Sequence, residues 1–249
     1  MPGSLYFGSS KVCPVILKNE PAIPSYQLSS NGTTVSRKSM ALSGDEFSNI
    51  TSVNSYGFSH AFYKCTGLTG SVDLSNLATM ATNACEYMFS NCTGITSVVL
   101  GTTTATFSIS SYQGFQHMFE NCTSLVSADL RFKEMNGWCG FYYMFDGCTN
   151  LSEVKINNLQ KMSNNATCQY MFRNCTSLTT LSFPALLSDF TTWNAVFTSM
   201  LSGCSNVTVH FPSNLQSVIG SWSSVANGFG GTNTTVLFDL PSTGDNNSR

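Results

Sequence analysis

Charge is what this chain has least of. Charged residues make up 10% of its 249 positions, against about 25% in an average soluble domain. The formal net charge is −2 and there is no basic or acidic block. Binding to a nucleic acid backbone or to an anionic membrane therefore has no electrostatic footing. No apolar run reaches the roughly 18 residues of a membrane span, so no membrane insertion is expected. Met1 to Gly8 carry no basic stretch followed by an apolar segment, and no secretory signal is read there.

Catalytic chemistry is short of material too. There are three histidines. His60 and His117 sit where sister segments carry Tyr87, Tyr143 and Tyr170, which makes them structural. His210 falls on an outward strand position. The pair Asp45-Glu46 reads as a polar loop. Gly228-Phe229-Gly230-Gly231 lacks the lysine that a phosphate loop needs. Cys85 and Cys92 are seven apart, as are Cys168 and Cys175, wider than the two to four residues of a usual zinc pair. No catalytic residue, metal or cofactor is assigned, and an enzyme with an unrecognised site is the least favoured reading. Ten cysteines are too few for a disulfide scaffold of this length.

What is present is a phrase that returns. Tyr143-Met144-Phe145-Asp146-Gly147-Cys148-Thr149-Asn150-Leu151 has counterparts around Cys65, Cys92, Cys122, Cys175 and Cys204, with gaps of 27, 30, 26, 27 and 29 residues. A period of this size marks a solenoid whose units bury their apolar sides against one another. Phe62, Phe89, Phe119, Phe145 and Phe172 stand three residues before their cysteines. With Cys65, Cys92, Cys122, Cys148, Cys175 and Cys204 they form the expected core, the cysteines as buried free thiols. The Phe-x-x-Cys-x-x-Leu spacing suits a helical or 3₁₀ turn. Asn-Cys-Thr and Gly-Cys-Thr supply the bend after it, which explains the sequons at Asn91, Asn121 and Asn174 without glycans. Short alternating stretches follow, such as Ala128-Asp129-Leu130 and Val154-Lys155-Ile156, and read as strands with one face buried.

This pattern resembles the leucine-rich repeats of the BspA-like (Treponema pallidum) type over about residues 58 to 212. The resemblance implies an α/β repeat fold: a leucine-rich-repeat solenoid with a parallel β-sheet on one face and short helical or 3₁₀ turns on the other. The family unit is shorter, so 101–116 and 184–195 are expected to be loop insertions. Ile50-Thr51-Ser52-Val53 echoes Ile95-Thr96-Ser97-Val98 and suggests a degenerate first coil before six clear ones. The organisation expected is an N-terminal segment and linker at 1–45, a possible docking arm; the solenoid at 46–212; a C-terminal cap at 213–240, with a strand at Thr235-Val236-Leu237-Phe238; and a tail at 241–249. Residues Leu5 to Ile16 resemble short N-terminal pieces of some phage tail or virion-associated proteins.

The alternation puts Asp73, Val99, Asp129, Lys155, Ser182 and His210 in one outward row. Ser71, Ser97, Ser127, Glu153, Thr180 and Thr208 form the row beside it. Asp73, Val99, Asp129, Arg131, Glu153, Lys155, Ser182 and His210 are the candidate binding residues. Trp138, Phe141 and Tyr142 form a second aromatic group. The function expected is a non-catalytic recognition or adhesion module on a phage virion or bacterial cell surface. Its partner would be a protein or surface glycan, with virion or tail proteins meeting the N-terminal segment. The alternative is a purely structural or decoration component of a phage particle.

Overall fold

The computed structural model describes residues 5–7, 10–12, 27–28, 35–36, 40–42, 46–108, 114–136, 140–162, 168–187, 196–219 and 228–242. Within them the repeats coil into a solenoid of parallel strands. One sheet holds β5 (Met40–Leu42), β7 (Leu68–Leu74), β9 (Gly94–Leu100), β11 (Ser127–Leu130) and β13 (Glu153–Lys155), in that order. The coils after it contribute β15 (Thr180–Ser182), β16 (Thr208–Pro212) and β17 (Thr235–Leu240), again parallel. Each strand turns one set of side chains inward. Val72, Leu74, Val98, Leu100, Ala128, Leu130, Leu181, Phe183, Val209 and Phe211 are all buried. The sheet begins at Met40, inside the stretch read as the N-terminal segment. Two hairpins precede it: β1 (Leu5–Phe7) with β2 (Ser10–Val12), and β3 (Gln27–Leu28) with β4 (Val35–Ser36).

A second set of parallel strands lines another side of the coils. β6 (Ser52–Val53) pairs with β8 (Thr79–Met80), and β10 (Thr106–Ser108), β12 (Glu134–Asn136) and β14 (Lys161–Met162) form a three-stranded sheet. This corrects two expectations. The stretch 101–116 is not a plain insertion, since it carries β10. Residues 184–187 also belong to the coil wall: Leu186 is buried, and Leu187 N–H donates to Gln160 O at 3.0 Å. The 188–195 stretch lies outside the described residues. Ser52-Val53 does not mimic Ser97-Val98 either, because β6 joins this second set while β5 is the neighbour of β7.

The expected helical face is the main correction. The Phe-x-x-Cys segments are runs of tight turns, and the short helical elements Ser213–Leu215 and Gln216–Ile219 follow β16 instead. The reason is a left-handed residue at every fourth position. Asn83, Tyr87 and Asn91 have φ of 53°, 52° and 62°, and His117 and Asn121 follow at 53° and 56°. An α-helix cannot continue through such residues. The backbone is nevertheless paired throughout. Met88, Ser90 and Cys92 donate to carbonyls three residues back, whereas Tyr87, Phe89 and Asn91 donate to Gln116, Met118 and Glu120 of the next coil at 2.7–3.0 Å. Alternate amides thus bond within and between coils, which pairs these turn N–H groups although no helix forms.

Candidate functional site

Strand register decides which side chains meet on the outer sheet face. Ser71, Ser97, Ser127 and Glu153 lie side by side, and so do Asp73, Val99, Asp129 and Lys155. On the following strands Thr180, Thr208 and Thr235 line up, beside Ser182, His210 and Leu237. Both rows are therefore continuous within each sheet. Because neighbouring strands are about 4.8 Å apart, the Ser71 and Thr180 rows repeat a polar group at that step, while Val99 and Leu237 interrupt the rows beside them. Ser71 and Ser97 hydroxyls are bonded at 2.6 Å.

The charges on this face are paired locally. Arg131 Nε lies 2.8 Å from Asp129 Oδ2, and Lys155 Nζ 2.9 Å from Glu153 Oε1. The Glu153 hydrogen bond holds the Lys155 ammonium above its ordinary pKa. Asp73 Oδ1 accepts from Ser75 N–H at 2.8 Å. His210 Nδ1 sits 2.9 Å from Asp239 Oδ1 on β17. Asp239 was missed in the sequence. Carrying the alternation of Thr235–Phe238 two residues further would have placed it outward. A shallow depression of about 230 Å³ opens on the face between β9, β11 and β13, lined by Ser97, Val99, Ser127, Asp129, Glu153 and Lys155 among others.

The turn side carries two aromatic ladders. Inside, Phe62, Phe89, Phe119, Phe145 and Phe172 stack with centroids 5.2–5.6 Å apart and planes within 8°. Outside, His60, Tyr87, His117, Tyr143 and Tyr170 stack at 4.4–4.9 Å. This places both histidines as members of a ring stack. Arg173 covers the Tyr143 ring at 4.5 Å and grips Asp146 through Nε and Nη2. Burial works against the Glu120 carboxylate, but His117, with Nδ1 3.2 Å away, pulls its pKa below the ordinary value. Phe141 is buried in the core, Tyr142 is half-buried on this side, and Trp138 lies outside the described residues.

The eight described cysteines are all reduced thiols. Sγ of Cys92, Cys122, Cys148, Cys175 and Cys204 each donates to the phenylalanine carbonyl of the preceding coil, at 3.0–3.2 Å. Burial pushes the Cys122 thiol up to about 12 and that of Cys204 to about 11. Such thiols are packing groups and hydrogen-bond donors, not nucleophiles. Among the described residues no group of three or more His, Cys, Asp or Glu is placed to hold a metal ion, and no helix is long and apolar enough to cross a membrane.

The coil period, the stacked Phe-x-x-Cys phrase and the parallel strands coincide with a family model described as BspA type leucine-rich repeat region, in six copies, matched over residues 59–200 and 116–223. The chain belongs to the BspA-type leucine-rich repeat family. No curated protein and no solved structure matches it. The BspA-type match begins well after residues 5–16, and the likeness of that segment to virion-associated proteins finds no support. Repeat solenoids of this kind commonly present extended recognition surfaces.

Proposed function

We propose that this BspA-type chain is a non-catalytic recognition and adhesion module, displayed on a bacterial cell or virion surface, that engages a protein or glycan partner through the outer face of its strands. The observation that carries the reading is the pair of polar rows held in register across the sheet. Such a face is wide, rigid and regular, and its half-exposed side chains are backed by a buried core. Asp129, Arg131, Glu153 and Lys155 are the groups with which a partner would exchange hydrogen bonds. Ion pairs this exposed contribute little to stability, so they are available to a partner without loss of the fold.

The test compares the wild-type chain with the double variant Asp129→Lys/Lys155→Glu on arrays of purified surface proteins and glycans. The variant is expected to keep its melting temperature and lose binding. Equal binding by both chains would remove the strand face as the working surface.

A further inference from the structure

Building on the strand-face reading above, we propose that Ser97, Ser127, Asp129, Glu153 and Lys155 form a subsite for a neutral, linear, β-linked polysaccharide lying along the solenoid axis, one sugar ring per coil. The pairing of β11 with β13 sets Ser127 beside Glu153 and Asp129 beside Lys155. Hydroxyl, carboxylate and ammonium thus occupy a two-by-two block, with Arg131 at its edge. A sugar's neighbouring hydroxyls each donate and accept. One donates to a carboxylate such as Glu153 while the next accepts from Lys155, only 2.9 Å from that carboxylate.

Charge selects against other polymers. Counting Arg131 at its edge, the block sets two carboxylates against two cations, so neither a polyanion nor a polycation gains net attraction. The face also lacks what protein partners use most: buried-on-binding Trp or Tyr anchors. Val98, Val99 and Ala128 supply the apolar lining of the depression, and Val99, flanked by Asp73 and Asp129 in register, points outward, a contact suited to the C–H side of one ring. Periodicity selects the linkage. Coils repeat at about 4.8 Å, and a β-linked hexose chain advances by a similar step per ring, so successive rings meet successive coils.

The test is amide-resonance mapping of the ¹⁵N-labelled chain with cellotriose, cellohexaose and α-linked dextran. Cellohexaose is expected to shift residues of β9, β11 and β13 and to bind about tenfold more tightly than the trisaccharide. Asp129→Asn/Lys155→Ala is expected to abolish these shifts while leaving the melting curve unchanged. No shift with cellohexaose, shifts confined to the turn side, or an equal response to dextran would overturn the glycan assignment. Failure here leaves the strand-face reading to its own test, since the charge-reversal variant reports on a protein partner independently.

Discussion

At the scale of the residue, the repeat cysteine does something no isosteric apolar group would do. Phe89 O accepts the Cys92 N–H within its own coil at 3.0 Å, and takes the Cys122 thiol from the next at 3.2 Å. Both lone pairs of a buried carbonyl are thereby used. The thiol must stay protonated to donate, and burial enforces this. The ordinary thiol value is 9.0, and Cys122 and Cys204 stand at about 12 and about 11 when folded. Because the folded values are the higher ones, their contribution is complete below pH 9 and is lost as pH climbs through the folded values. Between the free-thiol and the folded value, each pH unit costs at most about 1.4 kcal/mol per buried thiol. The melting temperature should hold level from about pH 7 to 8.5 and drop steeply between about pH 9.5 and 11. A flat alkaline profile would contradict buried, protonated thiols.

At the scale of the element, the strip of turns replaces the helix that the spacing suggested. An i, i+3 apolar pattern is common to a helix and to consecutive tight turns, so Phe145, Cys148 and Leu151 could be assigned to the core but not to a conformation. The Asn or Gly before Cys92, Cys122, Cys148, Cys175 and Cys204 gave a turn signal, and each adopts left-handed backbone, as does Lys64 before Cys65. Tyr87, Tyr143 and Tyr170 adopt it as well, which residue preference does not reveal; stacking on the rings of adjacent coils compensates. Gly147 tests this account. It holds φ 72°, and a Cβ there would meet Asn121 Oδ1 at 2.2 Å. Asn occupies the equivalent slot at 91, 121 and 174, and the Asn121 amide reaches Asn91 Oδ1 at 3.4 Å. Gly147→Asn should therefore cost at most about 1 kcal/mol, whereas Gly147→Val should cost about 2 kcal/mol or more. Thermal melts of the two variants decide it, and a valine variant as stable as the asparagine one would sink the argument.

At the scale of the whole molecule, stability is passed from coil to coil. Val209 and Phe211 of β16 are fully buried, whereas Val236, Phe238 and Leu240 of β17 are half-buried. The C-terminal strand of the sheet should thus open most readily. Hydrogen exchange should run at least about tenfold faster in β17 than in β9 and β11. Uniform protection would mean that the sheet opens as one unit. The two outward rows were legible from alternation alone, since a strand has period two. The pairing of Asp129 with Arg131 and of Glu153 with Lys155 was not, because same-face neighbours two apart can point along the strand or away from it.

The sulfur ladder also gives the molecule a direction in time. The repeat thiols of Cys92, Cys122, Cys148, Cys175 and Cys204 each reach back to the coil made before. A chain leaves the ribosome N-terminus first, so each coil finished at the exit presents a vacant lone pair on its phenylalanine carbonyl, and its alternate turn amides, to the coil still being synthesised. The stack behaves as a zipper whose teeth close in the order in which they are translated. Each coil is completed by the one translated directly after it.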